Sequence, residues 1–411
     1  MKKFFALLLS LAMVLALVAC GQKETTTPDD TQTPDDTTPE VEYKIAMITD
    51  YGDITDQSFN QTTYEACKAF AEDNSIEFSY FKPAGDNTAD RVAMIEKAVN
   101  DGFNVIVMPG YAFGGAIVEA APEFPDVKFI ALDVAAGDLL ETAVAKAGEA
   151  YDYTPENWDL NKYVDMSNVY CAVYQEELCG YMAGYAAVKL GYKNLGFLGG
   201  MSVPAVVRYG YGFVQGVDAA AADLGLTDVK LNYIYGGQFF GDADITAVMD
   251  TWYQGGTEVV FACGGGIYTS AVDAAKKANA KVIGVDVDQA GVIAKYAGVD
   301  GMTVTSAMKG LYPATYDTLT DVIVNGNWDK YAGKVATLGL VSGDDPTVNY
   351  VQIPMGDGTQ WSDSFTQDDY KAMVKDMFDG KITVSNNTSS DVTAASFATV
   401  ITVDDQGSIK G

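Results

Sequence analysis

An α/β architecture in two similar halves, each a parallel sheet flanked by helices, is predicted by three features of the chain. Short apolar runs alternate with amphipathic stretches; the alternation pauses at a segment rich in Tyr, Asp and Asn, then starts again; and glycines, carboxylates and aromatics gather just after the apolar runs. Continuous apolar strands separated by helices signal sheets covered on both faces.

In the first half, strands are expected at 43–49, 77–82, 105–108 and 127–132, with helices at about 57–72, 88–100 and 115–123 between and around them. The segment 134–167 is expected to be a loop. Strands resume at 169–174, 195–198, 229–235, 259–262, 281–285 and 302–306, with a helix over 268–279 behind a triple glycine. From Tyr312 onward the periodicity weakens, and pattern alone does not set the register.

Ahead of the body, Lys2 and Lys3 precede an apolar run over 4–18 that is too short for a spanning helix and ends in Leu17-Val18-Ala19-Cys20. We read 1–19 as a signal peptide. Cys20 at the cut resembles the bacterial lipobox, which implies a lipidated (palmitate-type) mature N-terminus. Because one acyl chain holds weakly, several are expected on Cys20 and its amine. The Thr/Pro/Asp stretch that follows, to residue 42, has no apolar periodicity and reads as a solvated tether.

The body is long enough for two domains with their own cores. A balance of 26 basic against 56 acidic residues gives a formal charge of −30, which disfavours nucleic acid and anionic lipid as partners. The chain contains no histidine, which removes Ser-His-Asp and Cys-His nucleophile arrangements and most zinc and copper sites. Cys67, Cys171, Cys179 and Cys263 match no metal or disulfide spacing and are expected to be buried apolar residues.

Open α/β sheets place ligand loops at the carboxyl ends of their strands. Asp50, Asp133, Asp286 and Asp288 lie at such ends, where a carboxylate can accept from hydroxyls or amines; helix capping is the alternative for any single one. Phe59, Tyr111, Phe113, Phe239 and Phe240 sit in loops or first helical turns, where aromatics from two lobes could sandwich a planar ring. Gly264, Gly265 and Gly266 let main-chain amides approach a ligand but match neither the P-loop nor a dinucleotide fingerprint. Lys309 and Arg208 would be the ligand-facing cations, too few for a phosphorylated ligand.

Taken together, DQSFN at 56–60, FPDVKF at 124–129, GGM at 199–201 with Pro204, IGVDVDQ at 283–289, and Thr305-Ser306 with Lys309 resemble the basic membrane protein lipoproteins. These are substrate-binding components of ABC transporters, best known as purine nucleoside receptors; the resemblance spans about 43–309. It implies a two-lobed type I periplasmic-binding fold with a ligand cleft between the lobes. The amino-terminal lobe would comprise 43–165 plus about 291–330, and the carboxyl-terminal lobe 166–290 plus about 331–411. By matching position Phe59 would stack on the base, Asn60, Asp50 and Asp133 would read its polar edge, and Asp286 or Asp288, the glycines 264–266 and Lys309 would hold the ribose. The second stacking aromatic would be Phe239 or Phe240, with Tyr209 a weaker candidate. Ser202, where the family usually has an acidic residue, and the long segment before Asn168 are departures that bear on cleft shape.

The resemblance further implies a monomeric, lipid-anchored protein on the outer face of the cell membrane, with a small-molecule ligand and an ABC permease as partners. It implies no catalysis and no cofactor. A sugar or another aromatic metabolite is the alternative ligand, and an extracellular enzyme acting on nucleosides through the Asp cluster is the alternative of a different class.

Overall fold

The structure, a computed structural model, describes residues 42–410, so the leader, Cys20 and nearly all of the tether fall outside the described residues. Tyr43–Gly411 forms one compact unit. In chain order its strands are β1 (Lys44–Ile48), β2 (Glu77–Phe81), β3 (Val105–Pro109), β4 (Lys128–Leu132), β5 (Val169–Tyr174), β6 (Asn194–Gly199), β7 (Lys230–Tyr235), β8 (Val259–Cys263), β9 (Lys281–Asp286), β10 (Thr303–Lys309), β11 (Lys334–Leu338), β12 (Val351–Gln352) and β13 (Thr402–Ser408).

They form two sheets, ordered β11-β5-β4-β3-β1-β2 and β12-β10-β9-β8-β6-β7-β13. Every pairing is parallel except the short β10–β12 contact. The central strands β3 and β8 are buried along their whole length, as their sequences VIVMP and VVFAC require. Alternate residues serve different cores: Ile45 and Met47 join a large cluster shared by both sheets, while Ala46 and Ile48 pack on the outer face of the first sheet.

The strands do not follow the expected division of the chain. β5 and β11, placed by sequence in the second lobe, pair within the first sheet, and β10, placed in the first lobe, pairs within the second. The chain crosses from one sheet to the other between β5 and β6, between β10 and β11, and between β11 and β12. A parallel strand acquires its neighbour through a crossover of any length, so local pattern reveals the strand but not its partner. The expected loop at 134–167 also contains a helix, Ala136–Lys146, and a short turn of helix at Leu160–Tyr163. The cysteines behave as expected, buried and free.

The first crossing positions the site. Helix Glu176–Lys189 lies against helix Pro204–Leu224, and four glycines let their backbones touch. A Cβ on Gly180 or Gly184 would stand 2.3 or 2.4 Å from the carbonyl of Tyr209 or Phe213, and one on Gly212 or Gly216 would stand 2.0 or 2.1 Å from that of Glu177 or Tyr181. This reciprocal approach brings Glu176 to the side chain of Arg208. No helix among the described residues is long and apolar enough to cross a membrane.

Candidate functional site

The carboxyl edges of both sheets face one cavity of about 480 Å³. Its walls begin with backbone geometry. β3 and β8 run into Gly110 and Gly264, at φ 125° and 136°, and β4 and β9 run into Asp133 and Asp286, at φ 59° and 65°. Glycine adopts this region freely and aspartate tolerates it better than most residues, at a cost on the order of 1 kcal/mol. The matching turns in both sheets bring both carboxylates to the cavity.

Lys309, the last residue of β10, is buried among acids. Its ammonium contacts the Asp133 carboxylate directly, Glu176 Oε1 at 3.6 Å and Asp286 Oδ1 at 3.8 Å. Burial alone would lower its pKa, but the three carboxylates outweigh burial and raise it. Asp286 also accepts hydrogen bonds from Ser58 Oγ (2.5 Å) and Tyr209 Oη (3.3 Å). Burial raises its carboxyl, while Lys309 and Ser58 pull it back. Glu176 is raised by burial against the pull of Arg208, whose Nε donates to it at 2.7 Å, and of Lys309. Asp138, in the first turn of the Ala136–Lys146 helix, is pushed up to about 7 by burial despite accepting the Ala135 N–H and facing Arg208.

Around this charged floor stand polar and aromatic walls. Asp50 Oδ1 accepts the N–H groups of Tyr51 and Gly52, both at 2.7 Å, and a longer bond from Asn60 Nδ2 at 3.4 Å. Asn60 Oδ1 and Asp133 Oδ1 are buried acceptors without a protein donor, on residues that line the cavity. Phe59 lies with its ring centroid 4.7 Å from the Lys309 ammonium, with Tyr174 and Tyr209 at 5.4 and 5.6 Å. Phe239 is seated on two glycines, since a Cβ on Gly200 or Gly264 would come 2.3 or 2.7 Å from its ring. Phe240 is 57% exposed and Tyr209 is buried with its hydroxyl on Asp286, and both line the cavity.

The two sheets' loops also meet across the cavity. The hydroxyls of Tyr51 and Tyr111 donate to Met201 Sδ at 3.7 and 3.9 Å, and Gln289 Nε2 donates to the Gln57 carbonyl at 3.2 Å. Asp50, Phe59, Asn60, Asp133, Phe239, Phe240, Gly264, Gly265, Asp286 and Lys309 thus share one cavity. Asp288 does not join them: it is exposed, and its carboxylate accepts the N–H of Ala290 at the start of the next helix. Sequence reasoning missed Asp138 and Glu176 and left Arg208 marginal. All three stand in the early turns of helices, where a search of strand ends does not look; the signal available was an acid or a cation in a first or second helical turn beside such an end.

A family model described as "ABC transporter substrate-binding protein PnrA-like" matches residues 43–352. The ABC transporter nucleoside-binding protein BmpA of Lactococcus lactis is 26% identical over 84% of this chain and 90% of its own length. An uncharacterised lipoprotein of Pyrococcus abyssi is 25% identical over 72% of this chain and 67% of its own. Among solved structures, an ABC transporter solute-binding protein from Aeropyrum pernix superposes with a TM-score of 0.63 at 18% identity, covering 85% of this chain and 95% of that one, which establishes the shared fold. The match of the family model to most of the body makes this chain a member of the PnrA-like family of ABC transporter substrate-binding proteins, whose role is capture rather than turnover.

Proposed function

We propose that the protein captures a nucleoside, a purine nucleoside by preference, in the cavity between its sheets and presents it to a membrane permease. The observation that carries this reading is the Phe59 ring standing beside two buried acceptors without donors, Asn60 Oδ1 and Asp133 Oδ1. A flat apolar ring offers a stacking face, and orphaned acceptors call for a ligand with amine or hydroxyl donors. The cavity cations argue against a phosphorylated ligand, because each already has a carboxylate: Lys309 has Asp133, Arg208 has Glu176 and Lys82 has Asp53. The name of the Lactococcus relative agrees with this reading. Anchorage through lipid on Cys20, at the outer face of the membrane, belongs to the same proposal and accords with the Pyrococcus relative's name.

Calorimetry of the full chain, unfolded and refolded to strip carried ligand, against adenosine, guanosine, inosine, cytidine, uridine and ribose tests it. One-to-one binding of purine nucleosides without binding of ribose is expected. Silence across the panel, or ribose binding as tightly as adenosine, would sink the nucleoside assignment.

A further inference from the structure

The family match stops at residue 352, yet the chain continues and returns to the cavity edge. The carboxylate of Asp218 gathers the N–H groups of Thr399 (2.8 Å), Val400 (2.8 Å) and Ile401 (3.2 Å), and also accepts the Thr399 hydroxyl. β13 then runs parallel to β7 on the outside of the second sheet, held further by Trp252 Nε1 on Gln406 Oε1 at 3.1 Å. Ile409 N–H reaches the Tyr235 carbonyl at 2.8 Å, so the segment arrives level with the carboxyl end of β7. There begins the loop 236–242, which carries Phe239 and Phe240.

Lys410 closes on that loop at both ends. Gly237 lies so near it that a Cβ would sit 2.7 Å from Lys410 Cβ and from its carbonyl oxygen. The ammonium donates to Gln238 Oε1 at 2.8 Å and pairs closely with the Asp242 carboxylate. Gln238 in turn donates to the Phe240 carbonyl and to Asp242 Oδ2, each at 2.9 Å, and Asp242 caps the helix Ala243–Gln254 through Ile245 N–H. Phe239 and Phe240 lie within this closed circuit. A lone surface ion pair is worth little, but an ammonium that joins both ends of a short loop removes conformations the loop would otherwise sample.

We propose that Lys410 is a positioning residue that braces the loop 236–242 and thereby holds the Phe239–Phe240 wall of the cavity in its binding arrangement. Its affinity arm rests on the capture of a ring-bearing ligand proposed above; its dynamic arm does not. In the full chain, Lys410→Met should speed amide hydrogen exchange across 237–242 by about five- to tenfold and weaken adenosine binding by about the same factor. Lys410→Arg, which keeps the charge, should stay near wild type in both, and the thermal midpoint should move little in either variant. Unchanged exchange in Lys410→Met would overturn the brace, and so would faster exchange with adenosine affinity intact. If the wild type binds no nucleoside, the ligand reading fails and the exchange comparison alone decides the brace.

Discussion

At the carboxyl edges of the two sheets the same strand positions carry different chemistry. The central orders β5-β4-β3-β1-β2 and β10-β9-β8-β6-β7 correspond strand for strand. Counted along the chain, the third and fourth strands of each set agree down to the backbone: β3 and β8 run into Gly110 and Gly264, β4 and β9 into Asp133 and Asp286, all at positive φ. First and last positions diverge. Beyond β1 stands Asp50, but beyond β6 stands Gly200, which makes room for Phe239; β5 ends on Tyr174, but β10 ends on Lys309. The shared geometry builds a cavity with two inward carboxylates, and the divergence decides what it can hold. The first sheet's side brings Asp50, Asn60 and the Phe59 ring, and the second brings Lys309, the cation shared by the buried Asp133, Glu176 and Asp286.

That asymmetry is most severely tested at Lys309. Replacing it by methionine leaves Asp133, Asp286 and Glu176 facing one another, with only Arg208 against Glu176. Breaking a buried charge cluster by removing one partner costs roughly 3–5 kcal/mol, so Lys309→Met should lower the urea midpoint sharply at neutral pH. Some stability should return at acid pH as Asp286 and Glu176, both raised by burial, take up protons. A midpoint equal to wild type would mean that the second sheet's cation is dispensable and that the comparison misidentifies what holds the floor together.

Phe59 sharpens the other side. If the first sheet supplies the stacking face, Phe59→Ala should weaken adenosine by roughly 1–3 kcal/mol while leaving the unfolding midpoint close to wild type, as judged by calorimetry and urea titration. Equal loss for a ligand without a ring would assign Phe59 to shaping the Lys309 pocket, whose ammonium it faces at 4.7 Å, and not to stacking.

The alternation of strands and helices was legible because burial on both faces forces continuous apolar runs such as VIVMP and VVFAC. Ten of the candidate site residues were legible too, since an open sheet exposes side chains only where its strands stop. The pairing of β5, β10 and β11 was not, because hydrogen bonding between parallel strands leaves no local trace. Asp288 misled for a related reason: IGVDVDQ offers two carboxylates in alternation, and only the positive φ at Asp286 turns one of them inward while the other, exposed, accepts the Ala290 N–H two residues on. Arg208 and Glu176 became site residues through contact between two helices far apart in sequence, permitted by four glycines that read individually as nothing in particular.

Asp138 offers the finest test, because it belongs to the first sheet's side of the cavity yet faces Arg208 of the helix Pro204–Leu224, which follows β6 of the second sheet. Its carboxyl is pushed up to about 7 by burial, while in the unfolded chain it would release its proton near 4. Below pH 4 both states hold the proton and Asp138 contributes no slope. Between pH 4 and 7 only the folded state retains it, so stability falls as pH rises, and above 7 the full penalty of a buried carboxylate is present. Glu177, also raised to about 7 by burial, slopes the same way, so wild type alone cannot isolate Asp138. Asp138→Asn keeps an acceptor for the Ala135 N–H and removes the titration. Asp138 is partly open to the cavity, which screens the effect, so the wild-type chain should lose about 1–2 kcal/mol more than the variant between pH 5 and 8 in urea unfolding. Parallel pH profiles would show that Arg208 already compensates Asp138 in full, which would make the helix Pro204–Leu224, and not Lys309 alone, a source of positive charge for the acids of the first sheet.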